Sequence, residues 1–158
     1  MQGAKDTDAT KGNHNMTLTL DQALTIARET MAEGERRGML PLAVTVLDTG
    51  GQPLALLRDH RSSLHRADIA TAKAAGCIAM GFGGRELAKR AAGNPAFIGA
   101  VSQLFPRGLV PVPGGLLVRD SAGSLVGAVG VSGDNSDNDE IAALAGIAAV
   151  GLVADTGA

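Results

Sequence analysis

The densest chemistry in the chain lies in Arg58-Asp-His-Arg-Ser-Ser-Leu-His-Arg-Ala-Asp68, which holds two of the three histidines and three arginines. An imidazole can exchange protons near neutral pH or ligate a metal or haem iron. A guanidinium grips a carboxylate in a fixed fork. His65 and Asp68 are three residues apart, so on a helix they share a face; His60 reaches them only if the loop folds back. His60, His65 and Asp68 are therefore the candidate catalytic residues, and His60 and His65 the candidate iron ligands. Arg58, Arg61 and Arg66 are candidates for holding an anionic group. The competing reading is a solvated loop in which Ser62 or Ser63 caps the next helix. The third histidine, His14, belongs to a polar stretch and reads as solvated.

The elements that position this segment follow from the flanking pattern. Thr19 or Asp21 can cap a helix carrying Ala23, Leu24, Ala27 and Met31 at helical spacing, ended by Gly38 and Pro41. Leu42 to Leu47 and Pro53 to Leu57 read as strands joined by an Asp48-Thr-Gly-Gly51 turn. His65 to Met80 is predicted helical, with Ile69, Ala72, Ala75, Ala79 and Met80 as its apolar stripe and Arg66, Asp68 and Lys73 on its polar side. Short helices follow over Arg85–Ala92 and Ala96–Leu104. Leu109 to Val112 is read as a short strand, and a second hairpin turns at Asp120-Ser-Ala-Gly123. A final helix runs from Ser136 or Asp137 to about Val153. The order is α-β-β-α-α-β-β-β-α. Tight turns between neighbouring strands make the sheet antiparallel, which gives an α+β fold with flanking helices. The Pro113-Gly114-Gly115 corner reads equally as a pocket wall or as a kinked strand entry. Residues 1–16 read as a disordered tail and 17–158 as one domain.

Composition removes several classes. A formal net charge of −2 gives no basis for attraction to nucleic acid or an anionic membrane. Three phenylalanines, with no Trp or Tyr, leave no base-stacking platform. No apolar run is long enough to span a bilayer, and the polar start lacks a signal-peptide core, so the reading is cytoplasmic. A single cysteine, Cys77, excludes an internal disulfide and reads as a small core residue. Gly127-Ala-Val-Gly-Val-Ser-Gly133 leaves a strand towards a helix as a phosphate loop would, yet Asp134, Asp137, Asp139 and Glu140 follow and would repel phosphate. Those acids read as capping and solvated groups. The last helix is apolar on most faces, which predicts a second copy covering it.

Leu42-Ala-Val-Thr-Val-Leu-Asp-Thr-Gly-Gly51 with Arg58-Asp59, Asp68-Ile-Ala-Thr-Ala-Lys-Ala74, Pro111-Val-Pro-Gly-Gly115, and Val126-Gly-Ala-Val-Gly-Val-Ser-Gly133 with Asp139-Glu140 occur in this order. Together they resemble the GlcG/HbpS-like haem-degrading domain family, to which the C-terminal domain of PduO-type corrinoid adenosyltransferases is related. The resemblance implies a profilin- or PAS-like antiparallel sheet, assembly into dimers or octamers, and haem binding, with roles in haem degradation or redox sensing. Under it, the cofactor site would use Arg58, His60, Arg61, His65, Arg66, Pro113, Gly114 and Gly115. Many relatives carry Asp-Gly-Ala where this chain has Asp59-His60-Arg61, which places an ionisable ring in the loop. The alternative is a cofactor-free isomerase, hydratase or lyase acting on a small carboxylated metabolite, with His60 or His65 as the acid/base.

Overall fold

The computed structural model describes residues 17–158; the predicted tail over 1–16 lies outside them. Helix α1 (Leu20–Arg36) starts at Thr19, whose hydroxyl accepts from the Gln22 N–H while the Gln22 side chain accepts from the Thr19 N–H, a reciprocal capping box. Strands β1 (Ala43–Leu47) and β2 (Pro53–Arg58) form the first hairpin, and β3 (Gly115–Arg119) and β4 (Leu125–Ser132) the second. Both turns are built alike. Asp48 Oδ1 accepts from the Gly50 and Gln52 N–H groups at 2.9 Å. Asp120 Oδ1 accepts from Ala122 and Ser124 at 2.9 Å. Gly51 and Gly123 take the positive φ values, 78° and 85°, that close each turn.

Between the hairpins run α2 (Arg66–Met80), α3 (Gly84–Gly93) and α4 (Pro95–Ser102), then α5 (Ser136–Ala148) and β5 (Val153–Asp155) complete the chain. Asn94 and Asn135 cap α4 and α5 through side-chain oxygens. The five strands pair antiparallel in the order β2-β1-β4-β3-β5. The α+β class and antiparallel sheet are as expected from the sequence. Two details differ. Leu109–Val112 is not a strand, because Pro111 within it and Pro113 just after it have no N–H groups to donate to a ladder. The last helix stops at Ala148, and Gly151 (φ 71°) redirects the chain so that Val153–Asp155 pairs with the free edge of β3.

A core forms on each face of the sheet. Val44, Val46, Leu116, Val118, Val129 and Val131 pack with α1 and α5. Leu47, Leu117 and Ala128 pack with α2, α3 and α4. Helix α2 lies almost against the strand backbone, with Ala70, Ala74 and Cys77 turned inward and fully buried. Burial pushes the Cys77 thiol up to about 12. Iodoacetamide at mildly alkaline pH should therefore leave Cys77 unmodified in the native protein and alkylate it fully in urea. Rapid native labelling, read by intact-mass spectrometry, would mean that α2 lifts from the sheet. No helix among the described residues is long and apolar enough to cross a membrane.

Candidate functional site

Strand pairing brings the candidate residues to one end of the sheet. Ala43, where β1 begins, pairs with Arg58 at the end of β2 and with Ser132 at the end of β4; Gly115, the start of β3, pairs with Gly130 nearby. The 59–65 loop, the 113–115 corner and the start of α5 therefore share this end.

The loop is tied down by Asp59. Its N–H donates to the Leu42 carbonyl at 3.0 Å, and its own carbonyl accepts from the Ser62 N–H at 3.0 Å. Its carboxylate accepts from the Arg61 N–H at 2.8 Å, from Nε at 3.0 Å and from Nη2 at 2.7 Å. Arg61 Nη2 also reaches Glu35 Oε1 at 2.7 Å, which fastens the loop to the end of α1. The Arg61 side-chain hydrogen bonds, followed by its N–H, hold the Asp59 carboxyl well below the usual carboxylate range. Because the folded value is depressed, the tie is complete above the ordinary carboxylate pKa and is lost only as pH falls through the depressed value.

The histidines stand outward on this anchored loop. The His60 side chain is 91% exposed, with Nδ1 3.7 Å from Asp59 Oδ1, too far for a hydrogen bond. The His65 side chain is 74% exposed, and its Nδ1 lies 3.1 Å from Asp68 Oδ2. The three-residue spacing does bring ring and carboxylate together across the start of α2. Arg58 Nη1 donates to the Asp59 and Ser62 carbonyls at 3.3 Å. Arg66 donates to the Ser63 and Ser132 hydroxyls at 3.2 Å. Arg61 is thus spent on Asp59 and Glu35, while Arg58 and Arg66 have no carboxylate partner among the described residues. Neither serine caps α2. His65 occupies the N-cap position without a side-chain cap, and Ser62 Oγ instead donates to the Asp59 carbonyl at 2.8 Å.

Beneath the loop is a pair that the sequence pattern misassigned. Lys73 Nζ lies 2.9 Å from Asp139 Oδ2, with the two side chains 3% and 1% exposed. They come from α2 and α5, which cover opposite faces, so the pair crosses the end of the sheet. Asp139 Oδ1 also accepts from the Asp134 N–H at 3.0 Å. The crossing needs Gly114: at its φ of 99°, a Cβ would sit 2.9 Å from Lys73 Nζ. A Cβ on Gly115 would sit 2.7 Å from the Lys73 carbonyl oxygen. The space these two glycines open is filled by the chain's own α2. The sequence pattern puts Lys73 on the polar side of its helix and Asp139 among solvated acids; the structure buries both. The available signal was the series Ala70, Lys73, Ala74, Cys77, which is apolar but for the lysine and is the stripe that faces the sheet. Nearby, Arg85 donates to Glu140 Oε1 from Nε at 3.0 Å and Nη2 at 2.9 Å.

The fold is thus an α+β sheet covered on both faces by helices, with an anchored imidazole- and guanidinium-bearing loop at one end. The chain belongs to the HbpS-like family: the family model described as haem degrading protein HbpS-like matches residues 18–148. Among solved structures, a double mutant of Streptomyces reticuli HbpS is similar at 31% identity and a TM-score of 0.73, covering 93% of this chain and 97% of that one. A PduOC–haem complex matches at 24% identity and a TM-score of 0.77, covering 87% of this chain and 97% of that one. Klebsiella pneumoniae ORFY matches at 24% identity and 0.75, covering 89% and 95%. No curated protein matches the chain.

Proposed function

We propose that this protein binds haem at the 58–68 end of its sheet, with His65 as the iron ligand. The observation that carries the reading is the His65–Asp68 contact. A ring whose Nδ1–H donates to a carboxylate presents an unprotonated Nε2 on its far side, the arrangement that orients histidine ligands in metal sites. His60 is the second candidate ligand. Its ring lacks such an orienting bond, which makes it the weaker of the two. Arg58 and Arg66 would meet the propionates, since Arg61 is already engaged. Bound haem would supply a redox-active iron centre, and the chain's part is to hold and orient it. Family membership and the haem complex of the PduO C-terminal domain support the choice of ligand.

Both rings face outward, and Leu64 between them is 81% exposed. A haem on this loop would keep one face in water unless a second copy covered it, so the reading includes self-association into a dimer or octamer. The acid/base alternative is less well served, because proton transfer to a small metabolite gains from a site that excludes water.

Hemin titration followed in the Soret and visible bands tests the proposal. Wild type should show a saturable Soret shift, lost in His65→Ala. Arg58→Ala with Arg66→Ala should weaken binding roughly tenfold while leaving the band position unchanged. An unchanged spectrum in the His60→Ala/His65→Ala double variant would sink the ligand assignment.

A further inference from the structure

At the opposite end of the sheet is a cleft of about 470 Å³ to which no role has been attached. Its floor is α2, through Ala75, Ile78 and Ala79, and its two walls are tight turns. One is the Asp48–Gly51 hairpin turn, continued by Gln52. The other is Phe105-Pro106-Arg107-Gly108, closed by the Gly108 N–H donating to the Phe105 carbonyl at 2.9 Å. Proline at the second position and glycine at φ 77° in the fourth fix that turn. The volume falls within the ~300–1,000 Å³ typical of small-molecule sites.

The lining is divided chemically. Phe105, Ile78 and the two small alanines make an apolar interior. The polar groups converge on one side, where Arg107 Nη2 donates to Gln52 Oε1 at 2.9 Å across 55 residues of sequence. That bond leaves Arg107 Nε and Nη1 and the Gln52 amide nitrogen as donors, and Arg107 has no carboxylate partner among the described residues. No acid among the described residues lines the cleft, and Asp48 in the adjoining turn has its Oδ1 engaged by the N–H groups of Gly50 and Gln52. A fork of cationic and amide donors at the edge of an apolar hollow matches one ligand chemistry.

We propose that this cleft binds a small apolar monocarboxylic acid, its hydrocarbon body against Phe105, Ile78, Ala75 and Ala79 and its carboxylate on Arg107 and Gln52. The site is separate from the haem-binding loop, so it stands or falls independently of that assignment.

The test uses the whole chain with 2-naphthoate, read by the probe's fluorescence anisotropy, and 2-naphthalenemethanol as the uncharged counterpart. Wild type should bind the acid saturably at one site, and the alcohol roughly tenfold or more weakly. Arg107→Gln should bring the acid down to the alcohol's affinity. Ala79 is exposed, so Ala79→Trp should fold normally while blocking the floor and removing both. The His60→Ala/His65→Ala variant should bind the acid as wild type does. Equal binding of acid and alcohol, undiminished binding in Ala79→Trp, or no saturable binding at all would overturn the proposal. Loss of binding in the histidine variant would likewise overturn it by moving the site to the other end of the sheet.

Discussion

Asp139→Ala should lower the unfolding free energy by about 3–5 kcal/mol, a loss visible as a large fall in the urea midpoint. The variant leaves the Lys73 ammonium, 3% exposed, without the carboxylate 2.9 Å away that makes its burial tolerable. It also removes the acceptor for the Asp134 N–H at the start of α5. The large effect comes from the group left behind and does not measure the worth of the pair. Lys73→Met with Asp139→Leu, which removes both charges and keeps apolar volume, should therefore recover most of the loss. Lys73→Met alone adds a pH signature. Burial already holds the Asp139 carboxyl above its ordinary value, against the attraction of Lys73. Without the lysine that displacement grows. A carboxyl raised in the folded state stabilises below its unfolded pKa and loses that contribution as pH rises through the folded value. The deficit of Lys73→Met against wild type should thus be largest at neutral pH and shrink on acidification. An Asp139→Ala unfolding free energy within about 1 kcal/mol of wild type would mean the pair is solvated.

What could be read in advance, and what could not, divides along local against distant causes. The Asp48 and Asp120 turns, the Thr19 cap and the Asn94-Pro95 helix start are decided within four residues, and each formed as its chemistry required. Strand β5 is three residues long and exists because β3 has a free edge to offer, which no local pattern announces. The stripe of α2 is legible only in part, for a related reason: Ala72 and Ala75 are buried as the pattern predicts, but so is the side carrying Ala70, Lys73, Ala74 and Cys77. Seven of the fifteen residues of α2 are alanine or glycine, so hydrophobic periodicity is weak, and the sheet-facing side is set by where the backbone can approach most closely. That the histidine- and arginine-rich loop stands at one end of a sheet was legible from its place between strand and helix. Which arginines remain available was not, because Glu35, the second partner of Arg61, is 26 residues away. The cleft residues Gln52 and Arg107 are still further apart in sequence and carry no motif; only folding brings the two turns together.

The close approach of α2 also sets the second large effect, Gly130→Ala. A Cβ at position 130 would lie 1.9 Å from the Ala70 carbonyl oxygen and 2.9 Å from the Ala74 nitrogen, both backbone atoms of α2. Neither side can yield cheaply. Strand β4 is held by β1 on one edge and β3 on the other, and the Ala70 carbonyl belongs to the helix ladder. The helix must move away, so the expected cost is about 3 kcal/mol or more, at the upper end of what an added methyl does to a packed core. Gly99→Ala is the matching control. It adds the same methyl inside α4, where nothing lies within 4 Å, and should stabilise by roughly 0.5–1 kcal/mol through helix propensity. Thermal melts of the two variants should therefore move in opposite directions. The consequences of Gly130→Ala extend to both ends of the sheet, since α2 carries His65 and Asp68 at its start, Lys73 in its middle and the floor of the cleft near its end. Lifting it separates Lys73 from Asp139 and exposes Cys77, so fast native alkylation should accompany the lost stability. If Gly130→Ala instead melts like wild type with Cys77 still protected, the helix is not seated on the strand backbone and the packing that positions His65 must be different.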